Sequence, residues 1–233
     1  IKKAYEYCKP YSRVGDVVVE EYMNGPEVSV ETLTINGVCH VIQITDKLTT
    51  GAPHYVEMGH SQPTKHSDEI ALSIAEIAKA ANKAIGIKNG PSHTEIIITS
   101  QGPKIVELGA RLGGDNITTH LVPLSTGINM VEACIKIALG EMPDIKHKWN
   151  KGSAIRYFKQ HAGTVKNIDG IDEAKKVPGI QQISIVHGVG EKVTEIESSG
   201  SRMGFVIAQD VNSNEAVKDC YDALDKIKIS IEM

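Results

Sequence analysis

Two β-rich runs, 94–99 and 104–108, flank Ser100-Gln101-Gly102-Pro103, and each arm carries one glutamate. Gly-Pro between strand-like runs is a hairpin signal, so the chain is constrained to an antiparallel ladder with Glu95 on one arm and Glu107 on the other. Strand side chains alternate with a period of two. Ile96, Ile98, Val106 and Leu108 then share one face, and Glu95, Ile97, Ile105 and Glu107 the other. A connection with an odd number of residues sets the glutamates nearly opposite, whereas a two-residue connection staggers them. Opposed like charges destabilise a sheet and call for a cation. Mg²⁺ prefers carboxylate oxygens together with phosphate, and Arg111, just past the strand, can reach the same place. Spacing alone favours the plainer alternative, two unrelated glutamates on a solvated face.

The remaining pattern is read the same way. Residues 17–19 (VVV) and the alternation Val28, Val30, Leu33, Ile35 predict two strands separated by the turn Asn24-Gly25-Pro26. A third strand is expected at 38–45, then a loop over 48–65 with a short strand near Tyr55-Val56. Ile70, Ile74, Ile77, Ala78, Ala81 and Ile85 repeat at helical spacing. Ser67 caps this helix, Asp68 and Glu69 suit its dipole, and Gly86 stops it. A polar stretch (109–120) leads to a second helix at 128–139, ended by Gly140. Residues 141–152, with Pro143 and Trp149, read as a linker. Beyond it, 153–158, 180–186 and 203–208 predict strands and 213–227 a helix. Strand groups mixed with helices, without strict βαβ alternation, indicate an α+β fold.

Composition narrows the function classes. The 233 residues are 41% hydrophobic and 23% charged, enough for a buried core, and with 4% aromatic residues that core must rest on Ile, Val, Leu and Ala. No apolar run approaches the ~20 residues of a membrane span, and no signal-peptide pattern opens the chain. A net charge of −4 without a dense Lys/Arg block argues against nucleic acid as a partner. Cys8, Cys39, Cys134 and Cys220 have no metal-ligand spacing and read as reduced, mostly buried thiols of a cytoplasmic protein. The chain starts at Ile1 and not at Met, as a piece of something longer or a processed product would.

GPSHTEI (90–96) followed by VELGARLGGD (106–115) resembles the metal-binding hairpin of ATP-grasp enzymes, in particular L-amino acid ligases and relatives of the carbamoyl-phosphate synthase large chain. VVVEEYMNGPEVSVE (17–31) resembles the adenine hinge of that superfamily, TDKLTTGAPHYVEMGHSQP (45–63) its substrate-side loop, and SRMGFVIA (201–208) a C-terminal segment of the ligases. The resemblance implies an ATP-grasp antiparallel sheet flanked by helices. Residues 1–150 would form the later part of the nucleotide-binding domain and 151–233 a small C-terminal α/β subdomain.

It further implies that Glu95 and Glu107 hold Mg²⁺ (with Mn²⁺ as the alternative metal) and that Arg111 steadies charge on the transferring phosphoryl group. Backbone groups of Glu21, Tyr22 and Met23 would bind the adenine edge of ATP, Glu20 its exocyclic amine and Glu27 the ribose. The reaction implied is carboxylate–amine ligation through an acyl-phosphate, with a small carboxylate and an amine or amino acid as substrates, in the cytoplasm, with a homodimer as one assembly. Carbamoyl phosphate synthesis, ligation of purine precursors, and an ATP-binding module without turnover are the alternatives.

Two departures stand out. Gly109 occupies a position where many ATP-grasp enzymes carry an asparagine metal ligand, which leaves the number of metal ions open. The family's N-terminal domain and lid lysines would precede residue 1, so this chain is expected to carry half a nucleotide site and to be inactive alone. Several other residues keep two readings. His93 either orients a metal ligand or satisfies a backbone group at a strand end. Lys47 suggests a surface ion pair, with phosphate contact as the alternative. Asp115 and Asn116 either recognise an amine or cap the following turn, and His120 either packs or touches an amino acid. His54, His60 and His66 surround the 48–65 loop without ligand spacing. The Gly113-Gly114 turn would let backbone approach a small substrate closely.

Overall fold

The computed structural model describes residues 1–233. Helix α1 (Lys2–Cys8) buries no side chain. The VVV run that follows forms no strand: residues 16–26 lack a ladder, and Val18 and Val19 are 79% and 71% exposed. The next strand, β1 (Glu27–Ile35), is already paired on both sides, by β2 (Val38–Thr49) and by β4 (Gly90–Thr99), so β-propensity at 17–19 finds no backbone partner there.

After β2, the short strand expected near Tyr55-Val56 lies instead at β3 (Glu57–Gln62). Tyr55 has a φ of 48°, a left-handed conformation that a strand does not hold. Helix α2 (Asp68–Ile85) forms as its periodicity predicts. Ser67 Oγ accepts from the Ile70 N–H, and Gly86 closes the helix at φ 80°. Its inner face, Ile74 and Ala78, packs on Val28, Val30, Ile44 and Ile96 of the sheet. Each such isoleucine contributes roughly 1.5–3 kcal/mol.

Strands β4 (Gly90–Thr99) and β5 (Gly102–Gly109) form the hairpin. The polar stretch then ends in a π-helical turn (Ile117–Leu121) that runs into α3 (Val122–Thr126), neither of them signalled by periodicity. Helix α4 (Met130–Ala138) starts where Asn129 accepts from the Glu132 N–H.

The C-terminal part contains β6 (Gly152–Tyr157), β7 (Gly163–Asp169), α5 (Ile171–Ala174), β8 (Ile180–Ile185), β9 (Lys192–Val193), β10 (Gly204–Asp210), α6 (Ser213–Leu224) and β11 (Lys228–Glu232). The expected helix 213–227 therefore stops at Leu224, and β7, β9 and β11 are strands additional to those expected. Only Cys220 of the four cysteines is buried, and Cys8 is exposed, which corrects the expectation of mostly buried thiols. No single helix is long and apolar enough to cross a membrane.

Eight strands make one antiparallel sheet in the order β5-β4-β1-β2-β3-β6-β10-β8, and β11-β7-β9 make a second. Because β3 pairs directly with β6, the large sheet runs without interruption from the first half of the chain into the second. Its two faces follow from the register. Lys47, His60, Ile155 and Ile207 form one row across β2, β3, β6 and β10. That row points to the face where Ile155 and Ile207 join Ile117, Leu121 and Met130 in a core. The neighbouring row, Leu48, Gly59, Arg156 and Val206, points the other way. There Val206 packs with Ala216 and Cys220 of α6 in a core of its own.

Candidate active site

The hairpin connection is two residues long, Ser100-Gln101, which by itself would stagger the glutamates. A bulge at Val106 adds one residue to β5 and restores the match, so Glu95 pairs with Glu107 across the ladder. On the hairpin side of the bulge the two-residue connection sets Ile105 opposite Ile96 and Lys104 opposite Ile97, so the expected Ile97/Ile105 row does not form. A bulge re-aims a side chain at the expense of one ladder position, and here its effect is to juxtapose two carboxylates.

The partners differ in their surroundings. Glu107 is exposed, with the Arg111 guanidinium 3.8 Å away, and Arg111 Nη1 donates to Leu112 O. Glu95 is mostly buried, 3.3 Å from His93 Nε2 and 2.8 Å from Lys47 Nζ. The His93 contact, reinforced by Lys47 against the opposing effect of burial, holds the Glu95 carboxyl down at about 2.

Lys47 is not the surface ion pair that its position at a strand end suggested. Its side chain is buried, donates to Glu27 at 2.5 Å and Glu95 at 2.8 Å, and lies 3.5 Å from Glu57. Burial pulls the amine down, but the Glu27 and Glu95 contacts outweigh it and raise the amine above its ordinary value. The charge is thus kept by Glu27 and Glu95, with Glu57 a third carboxylate beside them.

His93 acts on a carboxylate and not on a backbone group. Its Nδ1 lies 2.6 Å from Glu31 Oε1, and Glu31 is fully buried on β1. Burial opposes the imidazolium, yet Glu31 and Glu95 together lift His93 to about 9. Gly113 closes over this pair: a β-carbon there would stand 2.7 Å from both Glu31 Oε2 and His93 Nδ1. Gly113 thus makes its close approach to the protein's own charged pair, while Gly114 lines the neighbouring cavity with open space around it.

Asp115 caps nothing. Arg202 grips it with two hydrogen bonds, 2.7 and 2.8 Å, and His60 Nε2 lies 3.4 Å away. Burial pushes the Asp115 carboxyl up, but Arg202 and His60 win and hold it well below the usual carboxylate range. Arg202 also donates to Glu57 O and stacks 3.8 Å from the Tyr157 ring centre. Asn116, at φ 62°, provides no side-chain cap either. His120 contacts only Thr119 Oγ1, 2.9 Å away, among side-chain hydrogen bonds.

Lys47, Glu57, His60, Glu95, Arg111 and Asp115 line a small cavity of ≈ 160 Å³. Glu31, Glu57 and Arg202 lie inside segments that carry the family resemblance (17–31, 45–63 and 201–208), but none was singled out within them. The one available signal was an acid, Glu31, in the middle of a strand rich in β-branched residues.

The expected adenine-side residues lie apart from this network. Glu20, Glu21 and Tyr22 are exposed and Met23 half-buried in the irregular 16–26 segment. The Tyr22 hydroxyl faces Tyr55 and raises its phenol above the ordinary value. Glu27, assigned to a ribose, is held by Lys47.

No group of three or more His, Cys, Asp or Glu side chains gathers as a ready-made metal cage. Two opposed carboxylates are nonetheless a donor set that fits Mg²⁺, which takes one or two protein carboxylates and fills its other positions with water and phosphate oxygens.

Residues 2–119, just over half of the chain, match the family model of the ATP-grasp domain. The chain belongs to the ATP-grasp family. Residues 156–232 of this ATP-grasp chain match a second model, L-amino acid ligase C-terminal domain 2. An L-arginine-specific L-amino acid ligase of Bacillus subtilis is 25% identical over 205 residues, 85% of this chain and 48% of that protein. A phosphoribosylamine–glycine ligase of Methanococcus maripaludis is 24% identical over 188 residues, 78% of this chain and 42% of that protein. Among solved structures, an L-amino acid ligase from Bacillus licheniformis superposes with a TM-score of 0.81 at 26% identity, over 91% of this chain and 55% of that one. This ATP-grasp chain thus spans about half the length of the relatives it matches.

Proposed function

We propose that the chain is part of an ATP- and Mg²⁺-dependent ligase that joins a small carboxylate to an amine or amino acid through an acyl-phosphate. The observation that carries this reading is the Glu95–Glu107 pair, brought into register by the Val106 bulge beside Arg111. Glu95 and Glu107 are the residues that would hold Mg²⁺, and the metal supplies charge neutralisation at the phosphates of ATP. Phosphoryl transfer asks mainly for positioning and positive charge around the γ-phosphate. Arg111, exposed and only loosely paired, is free to turn toward that group. Lys47 and His93 keep Glu95 ionised and fixed in direction. The 16–26 segment, with Glu20, Glu21, Tyr22 and Met23, is assigned to the adenine side. Glu27 would meet the ribose while Lys47 anchors it.

The match of residues 156–232 to an L-amino acid ligase C-terminal domain favours amino-acid ligation over a phosphoribosyl substrate. The test is ADP release from Mg·ATP by this chain joined to the ATP-phosphate-binding segment that the family places upstream, screened against carboxylates and amino acids singly and in pairs. Release that needs one particular pair and vanishes in Glu107→Gln supports the ligase. Binding of Mg·ATP without release for any pair refutes turnover and leaves an ATP-binding module.

A further inference from the structure

Arg156 is the most deeply buried cation in the chain that has no carboxylate partner. It is 6% exposed and makes no ion pair. Its Nη1 donates to His60 O at 3.0 Å and Ile155 O at 2.8 Å, while its buried Nε has no acceptor at all. The side chain lies flat across β3 because residue 59 is glycine: a β-carbon there would stand 2.6 Å from Arg156 Nη1. A buried charge without a counter-ion is costly, so a guanidinium held this way calls for an anion from outside.

There is room for one. Arg156 lines a cavity of ≈ 730 Å³ that shares no lining residue with the site above and is bounded by Tyr221 of α6. Leu48, Tyr157 and Tyr221 supply apolar and aromatic wall, and Arg156 lies 5.5 Å from the Tyr221 ring centre. The same cavity carries an exposed second cation, Lys159, and two acids, Glu195 and Glu197. Glu195 already accepts from the Ala162 N–H, whereas the Glu197 carboxylate is exposed and makes no ion pair or side-chain hydrogen bond. A pocket with a buried cation at one place, a free carboxylate at another and apolar walls between is complementary to a zwitterion with an apolar body.

We infer that this cavity is a second ligand site, which takes a free amino acid or a short peptide with its carboxylate on Arg156 and its ammonium on Glu197. The volume lies within the range of small-molecule sites and leaves space for a dipeptide. Occupancy has a route to the first site. Tyr157 lines this cavity, and its ring stacks on Arg202, which holds Asp115 in the first.

The inference does not depend on the ligase reading, and it is tested without ATP or Mg²⁺. Glycyl-L-leucine, its C-terminal amide and its N-acetyl derivative are titrated calorimetrically into the full chain, into Arg156→Gln, and into Glu197→Gln, where the exposed position leaves folding undisturbed. Glycyl-L-leucine should bind. The amide, and separately the N-acetyl form, should bind about tenfold more weakly or worse, the weight of one charge-assisted hydrogen bond. Glu197→Gln should erase the preference for a free amine, and Arg156→Gln the preference for a free carboxylate. Binding should persist in Arg111→Gln, which alters the first site. No binding of glycyl-L-leucine, equal binding of acid and amide, or loss in Arg111→Gln with retention in Glu197→Gln would each overturn the assignment. If Arg156→Gln does not fold, the amide comparison and Glu197→Gln decide.

Discussion

Arg202 holds both carboxylate oxygens of Asp115, at 2.7 and 2.8 Å, and so ties the strand β10 approach to the loop after the carboxylate hairpin. The two residues are 87 positions apart, and the contact joins a residue inside the ATP-grasp match to one inside the C-terminal ligase match. Removing one side of such a pair leaves the other charge half-buried and unpaired. Arg202→Met should destabilise the chain by about 2–3 kcal/mol in urea unfolding. Arg202→Lys should recover only part of that, because a lysine cannot form the two-pronged contact. The pair also predicts a pH response. The Asp115 carboxyl is depressed in the folded state, so its contribution is present above the unfolded value of ~3.9 and is lost as the pH falls through the lower folded value. Arg202→Met should lack that acid-side loss.

Gly113 is predicted to tolerate no side chain. The β-carbon of Gly113→Ala would press on Glu31 and His93, neither of which is a flexible surface group. A loss of about 1–3 kcal/mol is expected, typical of overpacking, and a lowered melting temperature measures it. The adjacent Gly114 has open space around it, and a much smaller effect of Gly114→Ala on melting is the contrast that checks the explanation.

Glu95 and Glu107 should separate stability from activity. Glu107 is exposed and weakly paired, so Glu107→Gln should leave unfolding free energy within ~0.5 kcal/mol of the parent. Glu95→Gln weakens contacts to buried Lys47 and His93 and should cost about 1–2 kcal/mol. Both should depress Mg-dependent ADP release by the extended protein by ~100-fold or more if they share the metal. Equal loss of stability in the two variants would argue against the asymmetry described.

His60 gives a further pH signature. Burial pushes its imidazole below the ordinary value, against the opposing pull of Asp115 and Glu57 and in the same direction as Lys47. The folded protein therefore keeps His60 neutral while the unfolded chain takes up a proton below ~6.5. Stability should fall as the pH drops below that value, until the folded His60 itself titrates. In His60→Gln the slope of unfolding free energy against pH between 6.5 and 5 should be shallower than in the parent.

Much of the framework was readable from residues in order. The α2 periodicity with Ser67 and Gly86, the β1 alternation and the hairpin runs are local patterns, and local patterns survive because each residue's own geometry enforces them. VVV at 17–19 failed because strand formation needs a partner backbone, and no partner reaches that segment. The strands β7 and β9 escaped notice because β7 alternates weakly and β9 is two residues long, whereas β11 does alternate, as Lys228-Ile229-Ser230-Ile231-Glu232, but over only five residues and with its partner β7 about 60 positions away.

At the site, sequence alone placed Glu95, Glu107 and Arg111 in one hairpin region, while the spacing by itself favoured two unrelated glutamates and only the family resemblance implied a shared metal. Tertiary structure decided the rest. The Val106 bulge brought the two glutamates into register despite a two-residue connection. Lys47 became the buried centre of three carboxylates, Asp115 went to Arg202, and Arg156 was left without a counter-ion on the opposite face. Charge partners are chosen by which strands lie side by side, and residues 60 or 90 positions apart carry no sequence mark of that adjacency.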